Sequence, residues 1–253
     1  MEFLHQLSLR NPELYYFGWI CILGAVTTLF LTFITDTEVL GINAYFKPFK
    51  FFLSSVIFLW SIAWFMHYLP NQKIVTIYSW FTILVFVFEL GWIVYQASKG
   101  TTSHFNRDNA FHSMMWTLMG AAISLMTLFT LYIGILFYTN EFPQLSSSYL
   151  WGIRLGIMLF VIFAFEGALM GSRLAHTIGA PDGGEGIPIL NWSRNYGDLR
   201  IAHFVGMHAL QALPLSGAFF IKSTVGIFII SGLYAGLALY VLVRALNGLP
   251  LIR

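Results

Sequence analysis

Apolar residues in this chain fall in long runs, and polar residues are confined to the gaps between them. A helix needs about 20 predominantly apolar residues to cross a bilayer. Seven runs qualify, at roughly 14–35, 50–69, 74–97, 110–138, 149–172, 200–221 and 224–245. They predict an all-α polytopic membrane protein, with seven transmembrane helices forming one bundle and one domain over residues 1–253. No internal repeat, low-complexity tract or linker divides it.

The runs differ in what they carry. The first has no charge between Tyr15 and Ile34, and the third contains only Glu89. The fifth holds Arg154 near its start and Glu166 further in. The sixth is the least apolar, with His203, His208, Gln211 and Pro214. Between Val225 and Val243 the seventh has no ionisable group but Tyr234 and Tyr240. Asn11-Pro12-Glu13 predicts a helix start: a capping side chain, a proline in the first turn and an acid at the positive dipole end. The residues before it read as an interfacial segment rather than a signal peptide, so the first span is expected to serve as the insertion signal.

Composition agrees. The chain is 58% hydrophobic and 9% charged, where a soluble domain carries roughly a quarter charged residues. Its single cysteine, Cys21, leaves no disulfide framework and no cysteine metal cage.

Seven spans place the termini on opposite sides. The N-terminal side receives short, plain links and four of the thirteen Lys and Arg residues: Arg10, Lys73, Arg154 and Lys222. The other nine fall on the C-terminal side, which the positive-inside rule assigns to the cytoplasm. That side also gathers His104, His112, His176, His203 and His208, and a 29-residue stretch at 171–199. Connectors that long are functional or disordered. Ile187, Ile189, Leu190 and Trp192 predict an ordered loop over 173–199, folded back across the bundle mouth.

Charged groups inside a bilayer are functional candidates by default. Lys47, Lys50, Ser54 and Ser61 share one helical stripe, suited to an anionic headgroup or carboxylate; snorkelling to lipid phosphate is the plainer alternative. Glu89 and Gln96 lie seven apart with Trp92 between them, and a carboxyl at that depth must be neutral or paired. Glu166 and Arg173 are also seven apart, so the arginine either fixes substrate charge or bridges to Glu166. Gly167 and Gly171 form a small-xxx-small pair, expected to serve helix packing.

Read as one regular helix, Arg200, His203, His208 and Gln211 fit within an arc of about 140°. His203 and His208 are five apart, and two histidines that chelate one ion on a helix sit four apart. Each would therefore need partners elsewhere, His104 or His176. The segment Gly179–Pro188 is dense in turn residues. It lacks the Gly-Lys-Ser/Thr end of a P-loop and the alternating acids of an EF-hand.

Four segments carry a resemblance: Asn43-Ala44-Tyr45-Phe46-Lys47-Pro48-Phe49-Lys50-Phe51, Ser103-His104-Phe105-Asn106, Gly179–Ser193, and Gly197-Asp198-Leu199-Arg200 through His203 to His208-Ala209-Leu210-Gln211. Together they resemble a family of bacterial seven-span inner-membrane proteins. The resemblance covers most of the chain and implies a bacterial inner-membrane location, N-terminus out and C-terminus in. It implies no particular activity. Di-iron histidine boxes, an H-E-x-x-H motif and a seventh-span lysine for a retinal Schiff base are all lacking.

The leading expectation is a membrane-embedded, metal-dependent enzyme acting on a lipid or small amphipathic substrate at the cytoplasmic leaflet. His104, His176, His203 and His208 would ligate a transition metal, zinc or iron, and Glu89 and Glu166 would act as ligand or base. Lys47, Lys50, Gln96, Asn106, Arg173, Asp182, Arg200 and Gln211 would bind substrate. The alternatives are a b-type haem protein for electron transfer or sensing and a proton-coupled transporter relaying through Glu89 and Glu166. The lipid bilayer is the expected partner, and nucleic acid is not.

Overall fold

The computed structural model describes residues 2–251. Asn11 separates α1 (Glu2–Arg10) from α2 (Pro12–Ile34), and its side-chain oxygen accepts the Leu14 amide at 2.9 Å. The helix starts where Asn-Pro-Glu predicts. A hairpin of β1 (Glu38–Val39) and β2 (Ile42–Asn43) follows, turned through Leu40 and Gly41 at φ 54° and 75°. Two consecutive positive φ values make the tight turn that matches strand twist, at the cost of holding a leucine in left-handed backbone.

The long helices come next: α3 (Phe46–Met66), α4 (Gln72–Ser98), α5 (Ala110–Thr139) and α6 (Ser147–Arg173). The last, after a loop and a broken segment, is α9 (Thr224–Leu246). Six helices, α2 to α6 and α9, are long and apolar enough to cross a membrane. Their outward faces are apolar: Leu23 and Phe33 on α2 are 67% and 78% exposed, and Val225 and Leu233 on α9 are 70% and 67% exposed. Such faces suit hydrocarbon rather than water.

The chain divides into two compact units at Met126 and Thr127, inside α5. In the first, α2 packs on α3 and α4. Gly18 lies directly beneath the Trp60 ring, where no side chain would fit. In the second, α6 packs on α9 and on the broken segment. A Cβ at Gly152 would lie 2.6 Å from the Leu213 carbonyl oxygen, and one at Gly156 2.8 Å from that of Ala209. This pair, spaced four apart, brings the backbones together. Gly167, expected to do so, instead makes room for a side chain described below.

The expected sixth span is not one helix. It consists of α7 (Leu199–Met207), a break at His208, α8 (Ala209–Leu215) and a π-helical turn over Ser216–Phe220. Pro214 lacks an amide donor and its ring crowds the carbonyl of Leu210, which loosens the helix ahead of the π turn. His208 flattens to ψ −3°, and the Ile221 amide reaches five residues back to the Ser216 carbonyl at 2.7 Å. The single polar arc read from Arg200 to Gln211 is therefore interrupted at His208.

Candidate functional site

In the second unit the site begins with the loop after α6. Leu174, at φ 53°, ends the helix in left-handed backbone and turns the chain outward. The backbone amides of His176 and Thr177 then donate to Asp182, and His176 Nδ1 lies 2.7 Å from the same carboxylate. Burial alone would raise the Asp182 carboxyl. The His176 ring bond and charge, with the backbone amide bonds, outweigh it and hold Asp182 well below the usual carboxylate range. Both residues, expected as substrate and metal ligands, thus pin this turn.

A short pairing of β3 (Thr177–Ile178) with β4 (Gly197–Asp198) closes the loop, and a further bridge joins Gly186 to Ser193. These pairings tie the 173–199 stretch to itself at both positions. Asp198 caps α7 and is the anchor of the whole region. Its side chain has no exposed surface. One oxygen accepts the Arg200 amide at 3.0 Å and Nε at 2.9 Å; the other accepts the Ser193 amide at 2.8 Å and an Arg200 Nη2. That nitrogen also donates to the Asn191 carbonyl. Arg200 was expected to orient an anion, and here its charge is matched by Asp198. An Asp immediately before a helix reads as a cap; its pairing with Arg200 does not show in the spacing.

Trp192 reaches from the loop to α7. Its ring centroid lies 5.4 Å from that of Phe204, which in turn lies 4.2 Å from the His208 ring. His208 Nδ1 is 3.1 Å from Gln211 Oε1, so the two polar residues at the helix break hold each other.

Deeper along α6, Glu166 faces α7. His203 Nδ1 approaches Glu166 Oε2 to 3.3 Å. The approach is close enough for an ion pair but lies outside hydrogen-bond alignment. Both Glu166 oxygens and His203 Nδ1 are buried without a hydrogen-bond partner. Gly167 is what admits the imidazole, since a Cβ there would lie 2.9 Å from His203 Cε1. Arg173 is exposed in the last turn of α6. Among the described residues Glu166 pairs with His203 and makes no bridge to Arg173.

The first unit holds the remaining candidates. Lys47 and Lys50 stand near the start of α3, where the dipole disfavours cations unless an anion is near. Lys47 Nζ is 5.9 Å from the Phe51 ring centroid. That ring is 5.7 Å from His104, which is 5.6 Å from Trp116 on α5. His104 Nδ1 lies 3.0 Å from Ser103 Oγ, and the Ser103 carbonyl accepts the Trp92 indole N–H at 3.2 Å. Phe105 is held at φ 63° between His104 and the buried Asn106, whose side-chain oxygen accepts the Asp108 amide. On α4, Glu89 and Gln96 are both buried. Gln96 Oε1 accepts the Thr101 hydroxyl at 2.8 Å, while Gln96 Nε2 and Glu89 Oε1 have no hydrogen-bond partner. His112 packs its ring 5.9 Å from that of Trp92.

Aromatic or polar neighbours therefore occupy His104, His176, His203 and His208 separately. No three His, Cys, Asp or Glu side chains among the described residues form a group able to hold a metal ion. Sequence reasoning missed the role of Asp198 and the aromatic partners of His104. The last are ordinary apolar positions until a loop places a histidine against them.

Compared with protein-family models, with curated proteins and with solved structures, the chain matches none.

Proposed function

We propose that this chain is a seven-span protein of the bacterial inner membrane, N-terminus out and C-terminus in, acting as a proton-coupled carrier through Glu166 and His203. The carrying observation is the 3.3 Å approach of His203 Nδ1 to Glu166, whose two oxygens are otherwise unpartnered. An acid and an imidazole this close hold either one proton between them, with no net charge, or two, with a net positive charge. Each state presents a different charge to whatever lies beside it. Among the described residues Glu166 is paired with His203, so the pair, rather than either residue alone, is the unit that changes charge.

The break at His208 supports a carrier. Interrupted spans in transporters place helix ends, with their partial charges, at the substrate. The His208–Gln211 pair at that break offers hydrogen-bond groups for a small polar or anionic solute. Lys47 and Lys50 in this reading hold the start of α3 against anionic lipid headgroups.

The test is reconstitution into liposomes with a trapped pH dye and an imposed pH gradient. A panel of small carboxylates, amino acids and sugar phosphates is then added one class at a time. At least one class should speed the loss of the gradient with wild-type protein beyond its rate without solute, and neither Glu166→Gln nor His203→Ala should respond to it. A panel without any response would overturn the reading. Stoichiometric zinc or iron on the purified protein, lost in His203→Ala, would return the site to a metal-dependent enzyme. A visible spectrum that changes on reduction would make it a haem protein.

A further inference from the structure

The buried face of α4 carries a line of polar side chains that the Glu166–His203 reading does not use. Ser79, Thr82, Glu89 and Gln96 are all at most 9% exposed. Thr82, Glu89 and Gln96 are spaced by seven, and a straight helix drifts only about 20° per heptad, so they form one stripe. From Ser79 to Gln96 the stripe runs about 26 Å at the helical rise, close to the roughly 30 Å of hydrocarbon in a bilayer.

Its two ends are tied to protein. Ser79 Oγ accepts Asn11 Nδ2 at 2.8 Å and donates to the Val75 carbonyl, and Gln96 Oε1 accepts Thr101. Between the ends the groups are orphaned. Thr82 Oγ1, Glu89 Oε1 and Gln96 Nε2 are buried with no hydrogen-bond partner. Thr82 is telling, because buried hydroxyls on helices usually bond back to their own backbone. Thr28, Ser55 and Ser79 do so here, each to the carbonyl four residues earlier. The Thr82 hydroxyl does not.

A buried polar atom left unsatisfied is destabilising, and three in one line are maintained only if something meets them. Successive heptad positions lie about 10 Å apart, a gap that a few water molecules bridge once the side chains have reached toward each other. Glu89 is the stripe's only titratable group. It can take a proton from water at one oxygen and release one to water from the other, leaving its own charge unchanged after each transfer.

We infer that α4 carries a hydrated proton path along Ser79, Thr82, Glu89 and Gln96. It conducts protons without a solute and independently of the Glu166–His203 pair.

The experiment uses the full chain carrying Glu166→Gln, reconstituted into liposomes with a trapped pH dye and driven by a valinomycin potassium potential. No solute is added. Proton influx should exceed that of empty liposomes and fall about a hundredfold in Glu89→Gln and in Thr82→Val, the scale of a lost proton-transfer group. Dicyclohexylcarbodiimide adds across a protonated carboxyl in apolar surroundings and is retained as an N-acylurea. It should label Glu89, located by peptide mass spectrometry, and stop the influx. Influx no greater than empty liposomes, influx indifferent to Glu89→Gln and Thr82→Val, or an unlabelled Glu89 in folded protein would each overturn the proposal. Labelling is repeated on wild-type protein, so it stands even where a variant fails to fold. Because Glu166 is already removed, an inert Glu166–His203 pair cannot alter the result.

Discussion

Gly167 of α6 and His203 of α7 are fitted to each other: a Cβ at position 167 would lie 2.9 Å from His203 Cε1 and 3.4 Å from Nδ1. The imidazole reaches Glu166 only because its sequence neighbour has no side chain. Gly167→Ala should therefore leave the helices in place and push the ring away from the carboxyl. The expected result is a thermal unfolding midpoint close to wild type, with solute-driven proton uptake reduced about a hundredfold, the scale of a displacement near 1 Å. Unchanged uptake in well-folded Gly167→Ala would separate His203 from the transport step.

Asp198 should be the most sensitive position in the loop region. Its buried carboxylate accepts four hydrogen bonds, two from the Arg200 side chain. Removing one partner of such a pair leaves an uncompensated charge and costs about 3–5 kcal/mol. Asp198→Ala should lower the thermal midpoint in detergent well below that of Arg194→Ala, whose contact with Glu185 is an exposed 3.7 Å approach worth at most about 1 kcal/mol. Equal midpoints for the two variants would show that Asp198 is not the anchor.

Acid should loosen the turn at His176 through Asp182. The carboxyl sits below its ordinary value of 3.8 in the folded chain, so its contribution is fully present above about 3.8. It is lost as the pH falls through the lower, folded value. Hydrogen exchange at the His176 and Thr177 amides, corrected for intrinsic rate, should stay slow from neutral pH down to that range and quicken below it. Asp182→Asn should exchange fast already at neutral pH. Protection in wild type that fades well above 3.8 would assign the effect to another group.

The long helices were legible because membrane spans are written in the simplest of patterns, an unbroken apolar run. Starts at Asn11 and the bounds of α5 and α6 follow from it within a few residues. The sites were less legible for a physical reason. Periodicity places Glu166 and His203 on their own helices but says nothing about which helix each faces. The deciding signal, a glycine beside the acid, reads equally well as a packing motif. The loop histidines illustrate the same limit. His104 and His176 count as ligands in a composition, while their neighbours Ser103 and Asp182 decide what their rings do. Lys47 and Lys50 lie in the first turns of α3, at the head of the apolar run that starts at about position 50. The break at His208 was hidden because it is a single flattened ψ that leaves the helical bonds around it in place.

Pro214 offers the sharpest separation of stability from function. Proline inside a helix costs about 3 kcal/mol, and here it stands between the break at His208 and the π turn over Ser216–Phe220. Its ring is also packed, with Cδ 3.2 Å from where a Gly156 Cβ would be. Alanine would restore an amide donor and remove that ring, so the regained helical bond and the lost packing offset one another. Pro214→Ala should unfold at or slightly above the wild-type temperature. Yet a regular helix through positions 207–215 would re-aim His208 and Gln211 together, since residues three apart stay neighbours on a helix, and with them the groups offered to a solute. Solute-driven uptake should fall strongly in Pro214→Ala while the solute-independent influx assigned to α4 stays as it was. If both fluxes fell together, the helix break and the α4 stripe would have to belong to one path.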